Sequence, residues 1–341
     1  MLTIELDNRI QESLLQIQNS SLTKGEMGVC IFYYVMGNHI IGDANQQIAD
    51  KLLKKILDEI GENNKLDIET GVTGLALGIS FLIKKKYVEG NVNTILEDID
   101  AYIYKQLCLF LEGGAPVING NVAIDILFYL IERYKEIESK WNRILFEKCI
   151  IRLFNWIYIN KPDYFYNEPL PFNLKSDIYV YLYLLVETYK LDIERERILH
   201  ILGEMKYFLF SQNPILNANR LALSTLSSYI YSVTKDKDWY NYSMVLFSNV
   251  NVSYIVESEI QDKNIFPTRG VVAIWLLIKL FNKLNKEKIE VDNSYFKKRI
   301  LESSFWDRLQ YDKELLLKYY SLDGYCGVKL FLNYIDNEYE I

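Results

Sequence analysis

The chain of 341 residues has only two histidines, four cysteines and six prolines. Each scarcity removes a class of chemistry. His39 and His200 stand outside every recurring motif, so a Ser-His-Asp relay has nothing to build on. Cys30, Cys108, Cys149 and Cys326 form no C-x-x-C pair, and three of them fall in apolar helical stretches. The opening "MLTIELDNRI" has acidic residues where a secretory signal is basic, so reduced buried thiols are expected. No run is long and apolar enough to span a membrane. Ile118 to Ile131 is interrupted by Asn121 and Asp125, and Ile178 to Val186 is too short. GxGxxG, P-loop and GxSxG patterns are absent. Basic charge is short as well: 38 basic side chains against 45 acidic ones leave a net charge of −7. The one three-residue basic run, Lys84 to Lys86, reads as a helix end facing solvent. Together these absences predict a cytoplasmic protein with no membrane span and no nucleic-acid partner.

What the chain does have is a period. "GVTGLALGISFL", from Gly71, sets glycines where helix formers belong and follows them with an apolar run. "KGEMGVCIFYY" near the start and "LDGYCGVKLFL" near the end repeat the arrangement with Gly25, Gly28, Gly324 and Gly327. "NGNVAIDILFYLI" and "RGVVAIWLLIKL" retain Gly120 and Gly270. "NLKSDIYVYLYLL" and "RLALSTLSSYIY" keep the apolar run alone. The first positions, 25, 71, 120, 174, 221, 270 and 324, are 46 to 54 residues apart.

Amphipathic segments alternate with these apolar ones. Asp43 to Ile60 puts Ile48, Leu52, Leu53, Ile56, Leu57 and Ile60 on one stripe. Ile4 to Ile17, Ile95 to Leu111, Trp141 to Ile159, Leu191 to Phe210, Asp238 to Ser248 and Tyr295 to Leu309 read similarly. The repeat is a helical hairpin of one half-exposed helix and one buried helix. The terminal copies are the best formed, whereas an open stack has atypical capping ends. The expected fold is therefore all-α: an α/α toroid of seven helical hairpins, seven inner and seven outer helices, in a single domain over residues 1–341. Glycines at the inner-helix starts would relieve crowding where helix ends converge. They would also leave backbone N–H groups at one mouth of the barrel.

Seven such hairpins, with "TGVTGLALGISFL" and "SLDGYCGVKLFL" as the closest motifs, resemble the lanthionine synthetase C-like family, the cyclases of lanthipeptide biosynthesis. The resemblance covers essentially the whole chain. It implies a toroid whose enzymes carry a catalytic zinc, held by W-C-x-G in the fifth repeat and C-H-G in the sixth, with a histidine before the fourth-repeat glycine. Here those slots read Ala218-Asn219-Arg220-Leu221, Thr268-Arg269-Gly270 and Phe172-Asn173-Leu174. None of these is a thiolate or imidazole, the ligands zinc requires. No metal and no cofactor are therefore expected, nor is cyclase activity. The resemblance instead implies a role in peptide modification, with a peptide substrate or a modification enzyme as partner.

The residues keep other chemistry open. Asp125 and Asp177 each interrupt an apolar run near the start of a buried helix, where a lone carboxylate is costly. A glycosidase-like pair needs two acids about 5 to 10 Å apart, and helix-dipole compensation is the structural alternative. "YFYNEPLPF" holds two of the six prolines and presents Tyr166 to the mouth, a ring suited to peptide or sugar contact. The candidate ligand-binding residues are Arg269, Asn219, Asn173, Thr268, Asp177, Asp125 and Tyr166, and no catalytic residue is assigned. A non-catalytic scaffold is the remaining reading.

Overall fold

A computed structural model describes residues 19–37, 44–62, 65–113, 118 and 120–337. The predicted outer helix Ile4 to Ile17, and His39, lie outside them. The described residues form helices and no strands. The longer helices alternate as the period predicts. The apolar ones are α1 (Glu26–Gly37), α3 (Val72–Lys84), α5 (Gly120–Tyr134), α7 (Asp177–Lys190), α9 (Asn217–Thr234), α11 (Val271–Leu284) and α13 (Tyr325–Asn337). Between them run α2 (Ala44–Glu59), α4 (Glu97–Leu111), α6 (Lys140–Asn160), α8 (Arg195–Leu209), α10 (Lys237–Phe247) and α12 (Asn293–Leu301). Short helical segments fill several connections.

Burial separates the two sets. In α1 the run Glu26 to Tyr34 is buried without interruption. In α2 only Ala49, Leu52 and Ile56 are buried, spaced as on one face of a helix. Leu57, placed on the predicted stripe, is 41% exposed because that stripe is narrower than the sequence pattern drew it.

Three boundaries differ from expectation. The predicted helix Tyr295 to Leu309 is broken at Ser303, whose Oγ accepts from the N–H groups of Phe305 and Trp306 and so starts a new helix, Ser304–Tyr311. The fourth apolar helix begins at Asp177, because Asn173 Oδ1 accepts from Lys175 N–H at 3.0 Å and holds a turn ahead of it. The fifth begins at Asn217, four residues before its motif position, for a reason given below.

The chain divides into two compact units: residues 1–154 with 307–341, and residues 155–306. In the first, α13, α1, α3 and α5 pack in that order, so the last copy lies on the first. Asp323 N–H donates to Thr23 O at 2.9 Å, and Ser321 Oγ donates to Gly25 O at 2.7 Å. Lys24 pairs with Glu69, and Ile68 N–H donates to Asp125 Oδ2 at 3.1 Å. These contacts bring the starts of four apolar helices together. In the second unit α9 packs between α7 and α11. Its buried Ser224 and Ser228 bond Ser243 of α10 at 2.7 to 3.0 Å, and such small residues let the two backbones approach closely.

The glycines act mainly against their own loops. Val72, Val271 and Glu26 each donate their N–H to a carbonyl seven residues back, on Lys65, Asn264 and Asn19, at 2.9, 3.1 and 2.7 Å. Tyr325 does the same to Tyr319, six back, at 2.6 Å. The loop therefore folds under the helix start and takes up first-turn donors that otherwise lack partners. A Cβ on Gly74 would fall well under 3.0 Å from the Ile68 carbonyl oxygen. In these copies the N–H groups expected to be open at a mouth are in part capped by the chain itself.

Candidate functional site

The residues singled out in the fourth, fifth and sixth copies all fall in the second unit. They gather at the starts of α7, α9 and α11. The link is direct: Leu174 N–H, leading into α7, donates to Thr268 O, leading into α11, at 2.8 Å. The start of α9 is tied to both neighbouring loops. Glu168, from the loop before α7, accepts from Ile215 N–H at 2.7 Å and Leu216 N–H at 2.8 Å. Glu259, from the turn before α11, accepts from Asn217 N–H at 2.7 Å and Ala218 N–H at 2.9 Å.

Two carboxylates supplied by other loops thus cap one helix, through charge-assisted bonds aligned with its dipole. That explains why α9 starts earlier than its motif: the cap lies at Leu216, not at Leu221. Neither glutamate follows the pattern of a local cap residue, so no short-range signal marks them. Glu168 stands in a loop, and its partner lies 47 residues on.

Asn219 is the centre of this arrangement and is fully buried. Its Nδ2 donates to Glu168 Oε1 at 2.8 Å and to Pro169 O at 2.9 Å, and its Oδ1 accepts from Tyr179 Oη at 2.8 Å. Both amide donors are spent within the protein. Asn219 therefore holds α9 to α7 and to the loop Tyr164 to Phe172. Tyr166 of that loop is packed: its ring stacks on Phe208 at 4.6 Å, and Gln212 Nε2 donates to its carbonyl at 2.7 Å. Burial pushes the Tyr166 hydroxyl up to about 12.

Arg269 is partly buried, and its guanidinium lies 4.8 Å above the buried ring of Phe266. Such stacking contributes about 0.5–1 kcal/mol at a partly exposed site. Asp177 is different. It is half-buried in the first turn of α7 and makes no hydrogen bond or ion pair among the described residues. Burial alone raises its pKa. A group with a raised folded-state pKa holds its proton more tightly when folded. Stability therefore falls as pH rises from the ordinary carboxyl value to the folded one. Asp177→Asn should remove that fall. In urea titrations it should gain stability relative to the parent between pH 3 and pH 7. An equal offset at both pH values would show that the carboxylate is not the cause.

Asp125 lies in the first unit, where it caps the loop before α3 through Ile68. A structural role therefore accounts for its place in an apolar helix. Of the sequence candidates, Asn173, Asp177, Asn219, Thr268 and Arg269 mark the three helix starts linked above, with Tyr166 on the adjoining loop.

A zinc site of the kind found in enzymes of the resembled family does not fit these residues. Asn219 offers no free donor set, and neither Thr268 nor Arg269 is a thiolate or imidazole. Among the described residues no group of three His, Cys, Asp or Glu side chains is placed to hold a metal ion. The thiol of Cys30 donates to Ala49 O at 3.4 Å, and burial raises its pKa strongly. No helix among the described residues is long and apolar enough to cross a membrane. No protein-family model matches this chain, and no curated protein matches it.

Proposed function

We propose that this chain is a zinc-free relative of the lanthionine synthetase C-like proteins. In this reading it is a single-domain α/α toroid of seven helical hairpins, cytoplasmic, that serves peptide modification by binding a peptide or a modification enzyme. It does not close thioether rings itself. The period of near 50 residues, the packing of α13 on α1, and the grouping of helix starts within each unit support the architecture.

The observation that carries the functional reading is Asn219. At the slot the family uses for a zinc ligand, this chain has an amide wired into Glu168, Pro169 and Tyr179. The slot has been converted from a metal ligand into a structural joint. Beside it stand half-buried Asp177 and partly buried Arg269, one acid and one base, of a kind suited to a peptide's charged groups.

Two measurements test this. Metal analysis of protein purified without chelators should find zinc far below one equivalent. Stoichiometric zinc would overturn the zinc-free reading. Arg269→Ala should weaken binding of a synthetic peptide panel by about 10-fold or more, as loss of a charge-assisted hydrogen bond predicts. Its circular dichroism spectrum should match that of the parent, so that the loss reports on binding and not on folding. Unchanged peptide binding would remove the site from this face.

A further inference from the structure

On the second unit, away from the helix starts, an open groove of about 1050 Å³ runs between α8 and α10. Its walls are aromatic and aliphatic: Tyr207, Phe210, Tyr242 and Val245. Tyr207 is 82% exposed and Val245 62% exposed, so large apolar side chains stand where none of the described residues covers them.

The groove also contains Gly203, in the interior of α8. Glycine inside a helix is destabilising relative to alanine. A Cβ at Gly203 would meet nothing within 4 Å. Gly74 and Gly270 are required by close backbone contacts, and Gly203 is not. Its effect is to leave the groove floor open to an incoming chain.

The charges at the groove are unbalanced. Lys206 is shared by Asp236, at 2.5 Å, and Asp238, at 2.9 Å. Glu204 adds a third carboxylate, with His200 Nδ1 at 3.5 Å as its partner. Asp236 stands outside the lining, so two carboxylates, Glu204 and Asp238, face the groove beside one ammonium and one imidazole. A partner that complements this groove brings positive charge together with apolar side chains.

We propose that the α8–α10 groove is a docking site for a peptide segment in which a lysine or arginine is flanked by aliphatic or aromatic residues. The basic group lies toward Glu204 and Asp238, and the apolar flanks cover Tyr207, Tyr242 and Val245 while the peptide backbone passes over Gly203. This surface is separate from the helix starts around Asn219 and does not depend on them.

The probe is acetyl-Leu-Lys-Phe-Lys-Leu-amide, compared with the same peptide carrying glutamate in place of lysine. Binding is measured by calorimetry at pH 8 and low salt. The lysine peptide should bind at least tenfold more tightly. Gly203→Trp should weaken it at least tenfold with an unchanged circular dichroism spectrum. Gly203→Ala should retain binding and raise the melting temperature. Reversing charge with Glu204→Lys and Asp238→Lys together should switch the preference to the glutamate peptide. Arg269→Ala should leave this binding unchanged.

Equal affinity for both peptides, or indifference to Gly203→Trp, overturns the proposal. Loss of binding in Arg269→Ala places the peptide at the helix starts and likewise overturns it. Sedimentation of the protein alone as a dimer that Gly203→Trp dissociates would make a second copy the occupant, against the peptide reading.

Discussion

Replacing Arg133 by alanine should destabilise the protein by about 3–5 kcal/mol, the loss expected when one partner leaves a buried ion pair. Arg133 is 2% exposed, in the last turn of α5. Its Nη2 donates to Asp100 Oδ2 at 2.6 Å and its Nη1 to Glu136 Oε2 at 2.9 Å. Nη2 also reaches Asn93 Oδ1 at 3.2 Å, Tyr129 bonds Asp100, and Lys84 and Ser80 bond Glu136. One guanidinium thereby joins α3, α4 and α5 and the loop before α4. Alanine would leave Asp100, largely buried, to the Tyr129 hydroxyl and Glu136 to Lys84 and Ser80.

Burial works against the ionised form of Glu136, but Lys84, Ser80 and Arg133 outweigh it and hold its pKa below the ordinary value. Its stabilisation is present above the ordinary carboxyl range and is lost as pH falls through the lower folded-state value. The gap between parent and Arg133→Ala should therefore narrow on acidification. Urea denaturation at pH 7 and pH 4 checks both points. Arg195→Ala, which breaks an exposed pair with Asp192, serves as a control and should change stability by less than about 1 kcal/mol. If the two substitutions cost the same, the network is not a structural joint.

Gly74→Ala should cost about 1–3 kcal/mol or more, the range for overpacking a close contact. The added methyl group would press on the Ile68 carbonyl oxygen and approach Leu22 Cβ at 3.2 Å. Backbone is the listener here, so a side-chain rotation cannot relieve it. Gly120→Ala, in the third copy, meets nothing within 4 Å and should be neutral or mildly stabilising. Thermal melts of both variants separate the two meanings of glycine in the repeat. A neutral Gly74→Ala would refute the crowding account.

The same comparison shows how far the pattern could be read. Gly71 and Gly120 occupy corresponding places in one periodic motif, yet a Cβ at Gly71 would crowd the Asp67 and Lys65 carbonyl oxygens and one at Gly120 would meet nothing within 4 Å. Spacing reveals the copy, but the packing distance that makes one glycine necessary and the other replaceable depends on how the preceding loop folds back. Likewise, Ser303 breaks a continuous amphipathic pattern. The period of apolar residues does not register that a serine hydroxyl has found two backbone donors.

By itself the sequence determined the alternation of apolar and amphipathic helices, because burial on one face or all round writes its period directly into residue order. It also determined that thiolate and imidazole are missing from the slots a zinc site of the resembled family would need. Only the tertiary structure decided what those slots do instead. Asn219 is a joint because Glu168, 51 residues earlier, meets it across a loop, and α9 is capped by Glu259, which lies 42 residues beyond Asn217. Among the described residues Asp177 is left without a partner, while Asp125 finds Ile68, 57 residues away. Hydrogen bonds are short-ranged in space and indifferent to separation along the chain, so which polar residue is satisfied and which is left facing outward emerges only once the helices are packed.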